Sequence, residues 1–540
     1  MFTNVLLVIL LIVVLLPPLG FFGYMYALSK KPKHSIIRSH PFLGWIRYLL
    51  EKLGPEFRQY WFDSDTEGTP FSRADFVGLV YAAKYRTDLI SFGGRRDYEK
   101  PGFYLSNAMF PRLTSELRVD NETQVPGKKY VITDEGVFTR REKWLDEQVK
   151  LWLLPDEDAI VVGESRRQPW RIKGMFGASA TSYGAVGENY ILSTGHGARM
   201  AGGSWINTGE GGVAEVHLQS GADIVSQIGP GMFGFRDKDG HFSLEEYKAK
   251  AQIPNIKAFE LKFHQGAKIR GGHLEGSKVT EKVAAARLVP VGKTVNSPNR
   301  FAFLTNPAEA LQFIKSLQEA GGKPVGVKLV VGDPKRLEPS FQAMSELDIF
   351  PDFITVDGSE GGSGATFKAM ADGMGLPLYA ALLILDDTAR RFGVRHRFKI
   401  FASGKLITPD KVAIALALGA DCVNSARGFM MANGCIMALQ CHTGKCPTGI
   451  TTTDSKYQEA LAPEEKKWRV MNYILQLREG LFALAAACGL ESPCGLTREH
   501  VVFTDAKGQS ARVADLFPYP KADVNSKKAP WELLSRMEAP

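Results

Sequence analysis

Between about residues 170 and 426, short apolar segments alternate with amphipathic stretches, and this alternation limits the folds that the chain can adopt. Each apolar segment ends in a glycine-rich or polar loop, and stretches such as PAEALQFIKSLQEAG have the apolar spacing of a helix. Strands that alternate with helices indicate a parallel sheet, and their number favours a closed (β/α)8 (TIM) barrel over an open sheet. The strand candidates are residues 222–227, 258–263, 325–330, 352–357, 398–403 and 420–426.

The N-terminus carries a separate uncharged segment. The 24 residues from Val5 to Leu28 contain no charged side chain, and as a helix rising about 1.5 Å per residue they exceed a hydrocarbon core of about 30 Å. Basic residues follow at positions 30, 31, 33, 38 and 47, which favours a cytoplasmic location for the rest of the chain. We therefore expect a single-pass transmembrane helix in the inner (cytoplasmic) membrane. The alternative is a cleaved signal peptide, which the lack of a basic n-region and of a small-x-small cleavage site disfavours.

These patterns divide the chain into four predicted parts. Residues 1–33 are the anchor and its basic flank, 34–168 a pre-barrel domain, 169–455 the barrel, and 456–540 a C-terminal helix and tail.

The net charge of +8 is small for 540 residues, and no long basic run is interleaved with aromatic residues, so we expect no nucleic-acid partner. Of the six cysteines, half lie within residues 435–446, which favours a reducing compartment and a metal site over a disulfide framework.

The loops after the last two predicted strands suit a phosphate group. Ser403 ends one strand and precedes Gly404 and Lys405, and Arg427 and Gly428 follow the next strand. In a TIM barrel these two loops present backbone N–H groups to a phosphate. For either loop taken alone, the alternative is an ordinary turn that needs glycine. Together the segments resemble the phosphate-binding part of FMN-dependent barrel oxidoreductases, which favours FMN as a cofactor.

Three cysteines lie close together just after the second of these loops. Cys435, Cys441 and Cys446 are separated by five and four residues, and a proline follows the last of them. Three thiolates are one ligand short of a closed tetrahedral zinc site, although His442 would supply a fourth ligand. Three thiolates followed by proline also suit a [3Fe–4S] cluster. Three buried cysteines without a ligand are the remaining alternative.

The cysteine segment CIMALQCHTGKCPTGI resembles the [3Fe–4S] loop of the glutamate synthase large subunit. Four other segments agree with that family in chain order, namely GASATSYGAVG, NTGEGG, HQGAKIRGGHLEG and VDGSEGGSGAT. The resemblance covers about residues 170–455 and is strongest to short, membrane-anchored members, the FMN-binding glutamate synthase family proteins. It implies a glutamate synthase-like oxidoreductase that acts on CH–NH2 donors and uses FMN and a [3Fe–4S] cluster.

The resemblance also implies roles at the substrate. Glu210 corresponds to the family's active-site glutamate, Lys268 to a lysine with catalytic and substrate-binding roles, and Arg287 to the arginine that holds a carboxylate of 2-oxoglutarate. His273 stands where larger synthases have glutamine and is implied to bind substrate. The loop of residues 267–274 is one residue shorter than the common form and lacks its proline, which is a departure at the keto-acid contacts.

The implied cofactor contacts lie at the strand ends. Lys328 stands where a cation stabilises the anionic reduced flavin ring, and Gln227 stands where an amide hydrogen-bonds to the flavin. The predicted cluster ligands are Cys435, Cys441 and Cys446. The full set of predicted FMN contacts is Ala180, Ser182, Gln227, Lys328, Gly361, Gly362, Ser403, Gly404, Lys405, Arg427 and Gly428.

The implied reaction is the reductive amination of 2-oxoglutarate to L-glutamate through 2-iminoglutarate. No cysteine precedes Cys422, so we expect ammonia or another amine from elsewhere, including a separate glutaminase subunit. We assign no NAD(P)H site and expect electrons from a partner protein, a ferredoxin or a reductase subunit, through the cluster. Two alternatives stay open. One is a related amino-acid oxidoreductase, such as an N-methylglutamate synthase-type subunit, and the other is a membrane-tethered flavin protein without turnover.

Overall fold

The computed structural model divides the chain into two compact units, Met1–Ala74 and Asp75–Pro540. The structure describes residues 2–29, 36, 38, 40–136, 139–266, 268 and 271–520.

The first unit contains one long apolar helix, Phe2–Ser29, with Pro17 and Pro18 inside it. A second helix spans Pro41–Phe57. Within the first helix, Leu10–Ala27 has a mean hydropathy of 1.9 and is long and apolar enough to cross a membrane. Anchors and N-terminal signal sequences share this length and composition, so the helix suits either role.

Removal of residues 1–30 is expected to move the protein from the membrane fraction to the soluble fraction, because the apolar helix is the segment that a bilayer would hold. Ultracentrifugation and immunoblotting measure the change against the full-length chain. Intact-mass spectrometry of the full-length protein separates the two roles, since an anchor stays attached and a signal sequence is cleaved. Retention of the truncated chain on membranes after a high-salt wash would contradict the prediction.

The second unit is built on eight parallel strands. They are β1 Phe176–Ala178, β2 Trp205–Asn207, β3 Asp223–Ile228, β4 Ile256–Lys262, β5 Val325–Leu329, β6 Phe353–Asp357, β7 Lys399–Ser403 and β8 Cys422–Ser425. Hydrogen bonds connect them in the order β1-β8-β7-β6-β5-β4-β3-β2, and every pair is parallel. The predicted TIM barrel is therefore confirmed, and the six predicted strands coincide with β3 to β8 within two residues at each end.

Side chains and single hydrogen bonds join β1 to β2, which lie at the two ends of the hydrogen-bonded order. The Ser204 hydroxyl donates to the carbonyl of Phe176 at 2.7 Å. The two strands approach so closely that a Cβ on Gly177 would lie 2.2 Å from the Trp205 ring. We call this junction the β1–β2 seam.

Arg478 fastens the long helix Pro463–Ala487 to the β1–β2 seam. Its guanidinium is 1% exposed and donates five hydrogen bonds of 2.5 to 3.3 Å. The acceptors are the carbonyls of Leu151, Gly174, Ala201 and Gly202 and the hydroxyl of Ser204. Because four of these acceptors lie just before β1 or β2, the arginine holds the two strands together.

A hairpin closes the N-terminal end of the barrel, where Ile160–Val162 pairs with Trp170–Ile172. Trp170 packs edge-on against Trp205, with ring centroids 5.3 Å apart. The buried cluster around them consists of Val162, Trp170, Ile172, Trp205, Val225, Ala258, Phe353, Phe401 and Cys422. This end of the barrel is therefore packed core, which leaves the carboxyl ends of the strands for a site.

The other elements of the second unit surround the barrel. Strand Gly102–Leu105 pairs with Val501–Thr504, so segments predicted as pre-barrel and C-terminal share one sheet. The boundaries of the four predicted parts stay a prediction. The other strands are Gln124–Glu135, Arg140–Lys150, His273–Leu274, Val295–Asn296 and Ser510–Arg512. The described helices of this unit besides Pro463–Ala487 include Glu188–Ala201, Glu215–Gln219, Leu244–Ala251, Glu281–Arg287, Pro307–Gly321, Glu338–Leu347, Lys368–Gly373, Leu378–Arg391, Pro409–Ala417, Arg427–Ala432, Ser455–Gln458 and Val513–Leu516.

Candidate active site

Glu210 lies at the carboxyl end of the barrel among three cations. It belongs to a short 3-10 helix, Gly209–Gly211, directly after β2. Its Oε1 is 3.0 Å from the Nζ of Lys262, the last residue of β4. Burial alone would raise the pKa of Glu210, but Lys262, Arg287 and Lys268 hold it below its usual value. The carboxylate is therefore ionised at neutral pH.

Arg287 ends the helix Glu281–Arg287 with its guanidinium buried near Glu210. Its Nη2 donates to the carbonyl of Tyr183 at 2.9 Å, and the guanidinium lies 5.6 Å from the ring centre of Phe233. Burial lowers the pKa of Arg287 to about 10, while the charge of Glu210 acts to raise it. The Nε of Arg287 and the Oε2 of Glu210 are buried atoms without a hydrogen-bond partner in the described part of the chain. Native sites rarely leave such atoms unpaired, so they mark a place where a ligand completes the hydrogen bonding.

Lys268 brings a third cation to the same place. Its Nζ donates to the carbonyl of Ala365, in the loop after β6, at 2.8 Å. The cations that act on the Glu210 carboxylate are thus Lys262, Arg287 and Lys268. All three are buried, and buried cations suit a ligand with carboxylate groups, because they form charge-assisted hydrogen bonds.

Two glycines allow the chain to approach the Glu210 carboxylate. A Cβ on Gly229 would lie 2.5 Å from Oε2, and a Cβ on Gly272 would lie 2.1 Å from Oε1. Gly272 belongs to the loop that the sequence shows to be shortened, so this part of the loop still reaches Glu210. Residues 267, 269 and 270 of that loop lie outside the described residues.

His273 lies in the hairpin of His273–Leu274 with Val295–Asn296 and is exposed. Its ring nitrogens are 2.7 Å from the Oδ1 of Asn296 and 2.8 Å from the Oε1 of Glu275. The hydrogen bond to Glu275 raises the pKa of His273. A substrate-binding role for this residue stays a prediction.

Glu260 of β4 is the centre of a buried hydrogen-bond network across the barrel. It accepts from the Nδ2 of Asn207 at 2.9 Å, the Nε2 of Gln227 at 2.6 Å and the Oγ1 of Thr355 at 2.6 Å. These donors lie on β2, β3 and β6. The network therefore fixes Gln227, a predicted flavin contact, in the barrel wall.

Lys328 of β5 forms a buried ion pair with Asp357 at the end of β6. The Nζ is 3.1 Å from Oδ2, which also accepts from the backbone N–H of Gly266 at 2.8 Å. Burial alone would lower the pKa of Lys328, but Asp357 and Glu260 raise it above its usual value. Lys328 is thus a permanent cation at the carboxyl end of the barrel.

The loops after β7 and β8 bring Lys405 and Arg427 near each other. Burial lowers the pKa of Lys405, and the charge of Arg427 lowers it further. Arg427 donates through Nη2 to the carbonyl of Glu360 at 2.5 Å, and a Cβ on Gly362 would lie 3.0 Å from its Nε. Two neighbouring cations beside a glycine-lined approach suit a phosphate group.

The other predicted flavin contacts lie on the same end of the barrel. Ser403, at the end of β7, has its Oγ 3.3 Å from the Oγ of Ser179, just after β1. Ser182 lies close to Gly209, because a Cβ on Gly209 would be 2.5 Å from the Oγ of Ser182. The other predicted contacts lie on loops, on strand ends or in the first turn of helix Arg427–Ala432 at this end of the barrel: Ala180, Ser182, Gly361, Gly362, Ser403, Gly404, Lys405, Arg427 and Gly428. Their contact with a flavin stays a prediction.

Cys435, Cys441 and Cys446 lie in the irregular segment after helix Arg427–Ala432. Within the described ranges, no group of three or more Cys, His, Asp or Glu side chains is arranged to hold a metal ion. Burial raises the pKa of Cys435 to about 11, and the charges of Cys441 and Cys446 also act to raise it. The three thiols are thus close enough to influence one another, and three thiols are the donor chemistry of an iron–sulfur cluster. The cluster itself stays a prediction.

Sequence reasoning missed three charged residues of this site, Lys262, Glu260 and Asp357. Each lies inside an apolar strand, in the segments AFELKF and DFITVD. The sequence feature that could have identified them is a charged residue near the carboxyl end of a barrel strand, because inward-facing positions there reach the site. The predicted strand residues were Gln227, Lys328 and Ser403 instead.

Comparison with known proteins gives a family match over much of the chain. Residues 114–491 match the family described as the conserved region in glutamate synthase. The chain is 49% identical to the glutamate synthase large subunit-like protein YerD of Bacillus subtilis over 501 aligned residues. This aligned region covers 92% of this chain and 95% of that protein. It is 33% identical over 335 residues to an archaeal-type glutamate synthase (NADPH) of Thermotoga maritima, with 61% of this chain and 62% of the relative covered.

Solved structures give weaker matches. A flavocytochrome b2 variant with benzoylformate aligns with a TM-score of 0.44 and 14% identity, over 86% of this chain and 87% of that chain. A mandelate oxidase variant with a monooxide FMN adduct aligns with a TM-score of 0.42 and 15% identity, over 85% of this chain and 99% of that chain.

Proposed function

The chain belongs to the glutamate synthase family, and from this premise we propose that it is a flavin oxidoreductase that aminates 2-oxoglutarate to L-glutamate. One observation carries the proposal. Three buried cations, Lys262, Lys268 and Arg287, surround the single carboxylate of Glu210. 2-Oxoglutarate carries two carboxylates, and charge-assisted hydrogen bonds from these buried cations would hold both ends.

Each side chain of this group has a distinct task in the proposed reaction. Arg287 and Lys268 bind the carboxylates and orient the keto carbon, and the Nε of Arg287 gains the partner that it lacks. Glu210, kept ionised by Lys262, accepts and returns protons at the substrate nitrogen as the imine forms and is reduced. Burial of the group excludes water, which favours the imine over its hydrolysis.

FMN is the proposed cofactor and, when bound, supplies the hydride chemistry. Lys405 and Arg427 would hold its phosphate, because they are neighbouring cations at the ends of β7 and β8. Lys328 would stabilise negative charge on the reduced ring, and its ion pair with Asp357 keeps it protonated. Gln227, held by Glu260, would hydrogen-bond to the ring.

We propose that Cys435, Cys441 and Cys446 hold a [3Fe–4S] cluster that receives electrons from a ferredoxin or a reductase subunit. The shared electrostatic influence of the thiols supports this assignment. Ammonia, supplied free or by a separate glutaminase subunit, is the proposed nitrogen source. The helix Phe2–Ser29 is proposed as a membrane anchor, with the catalytic part in the cytoplasm.

Arg287→Lys and Lys268→Ala are each expected to weaken the binding of 2-oxoglutarate roughly 10- to 150-fold. A charge-assisted hydrogen bond is worth about 1.5 to 3 kcal/mol, and each 1.4 kcal/mol is about a factor of ten in Kd. Lysine is a poor substitute for Arg287, because a point charge cannot reproduce the bidentate fork. The measurement is a titration of 2-oxoglutarate followed by flavin absorbance, at equal FMN occupancy.

Lys282→Ala is the matched control, since Lys282 lies on the same helix as Arg287 with its side chain 75% exposed, and it should bind like wild type. A wild-type protein that shows no saturable response to 2-oxoglutarate but responds to another acid or amine would favour a related amino-acid oxidoreductase. A flavin that responds to none of them would favour a flavin protein without turnover.

A further inference from the structure

Lys278 is a buried lysine that faces the cysteine segment. It ends the short turn Gly276–Lys278 and is 8% exposed. Its Nζ donates to the carbonyl of Cys441 at 3.1 Å and lies 3.5 Å from the carbonyl of Thr451. Among the side chains that the structure describes, no carboxylate forms an ion pair with it, and Glu275 acts on it only at longer range.

The methylene chain of Lys278 also runs against the cysteine segment. A Cβ on Gly444, between Cys441 and Cys446, would lie 3.3 Å from the Cε of Lys278. The glycine therefore leaves room for the lysine side chain beside this segment. Burial lowers the pKa of Lys278, and the strongest opposing influences are Cys441 and Cys446.

Burying an ammonium group without an anion costs free energy. The two backbone carbonyls that Lys278 contacts do not neutralise its charge. The neighbouring groups that would become anions on binding a metal are the thiols of Cys441 and Cys446, which act electrostatically on Lys278. Metal-bound cysteines are thiolates, so a cluster on these residues would place negative charge next to the Nζ of Lys278.

We propose that Lys278 is the counter-ion of the [3Fe–4S] cluster on Cys435, Cys441 and Cys446 and raises its reduction potential. This inference rests on the proposed function, which includes the cluster. Reduction adds one electron, taken from the donor protein, and so adds one negative charge to the cluster. A fixed positive charge nearby stabilises the reduced form more than the oxidised form, so it favours electron uptake. Lys278 is thus a positioning residue that acts on the flavin only through the cluster.

The test is a redox titration of the purified full-length holoprotein with dithionite, followed by the EPR signal of the oxidised cluster. Lys278→Met removes the charge and keeps most of the volume. We expect it to lower the equilibrium constant for reduction about tenfold, which is about 59 mV for a one-electron couple. Lys278→Arg keeps the charge and should titrate close to wild type. Lys282→Met removes an exposed lysine four positions away and should leave the midpoint unchanged.

Iron and sulfide analysis separates the two ways in which the inference can fail. A wild-type protein without iron, or a Cys441→Ser variant with undiminished iron, overturns the cluster and the role of Lys278 with it. A wild-type cluster whose midpoint is unchanged in Lys278→Met overturns only the role of Lys278. Loss of iron from Lys278→Met but not from Lys278→Arg, at unchanged thermal stability and flavin content, supports the counter-ion role.

Discussion

Glu210→Gln is expected to slow the reoxidation of reduced flavin by 2-oxoglutarate and ammonium by at least about a hundredfold. A positioned general acid or base contributes roughly 10²- to 10⁴-fold to a rate, and glutamine keeps the shape of glutamate without accepting a proton. The substitution also removes the anion from Lys262, which lies 3.0 Å from the carboxylate. Anaerobic stopped-flow absorbance of the reduced protein, with glutamate measured as the product, gives the rate.

Glu215→Gln is the control for this experiment, because Glu215 is an exposed residue on the next helix and should react like wild type. The pH dependence gives a second check. Since the pKa of Glu210 lies below its usual value, the carboxylate stays ionised as the pH falls from 8 to 6, and this group should cause no loss of rate over that range. A Glu210→Gln variant that keeps more than about a tenth of the rate at equal flavin content would remove Glu210 from the proton transfer.

Arg478→Met is expected to lower the free energy of unfolding by about 3 kcal/mol or more. The arginine donates to five acceptors, and those on Gly174, Ala201 and Ser204 are buried. Each buried polar group left unsatisfied costs about 1 to 3 kcal/mol. Arg478→Lys should also destabilise the protein, because an ammonium has three donors and a different geometry. The measurement is urea unfolding followed by circular dichroism.

The matched control for Arg478 is Arg512→Met. Arg512 likewise donates several hydrogen bonds, in its case to the carboxylates of Glu499 and Asp515, but its side chain is 55% exposed. Surface pairs of this kind contribute about 0 to 1 kcal/mol, so the control should unfold near the wild-type midpoint. Equal shifts of the unfolding midpoint in the two variants would mean that burial of the Arg478 guanidinium adds no stability at the β1–β2 seam.

The alternation of apolar segments was enough to predict β3 to β8, because each of these strands has four or more residues between recognisable loops. It predicted neither β1, Phe176–Ala178, nor β2, Trp205–Asn207. Three residues are too few to show a periodicity. The closure of the barrel at these strands depends on Arg478, about 270 positions after β2, and no local pattern reveals such a contact.

The same limit applies to the candidate site. Glu210, Lys268 and Arg287 were predicted from a family resemblance, and the structure brings them together. Lys262 and Lys278 were not predicted, because a single lysine in a strand or turn is ordinary on a protein surface. Only burial distinguishes these two lysines, and burial is a property of the folded chain.

The β1–β2 seam has a consequence for folding during synthesis. The last barrel strand, Cys422–Ser425, is complete more than 50 residues before Arg478 is made. Until that arginine is translated, both strands of the seam lack the side chain that fastens them, although all eight strands already exist. A nascent chain at this stage therefore lacks the Arg478 contacts across the seam, so β1 and β2 are less well protected against pairing with other chains.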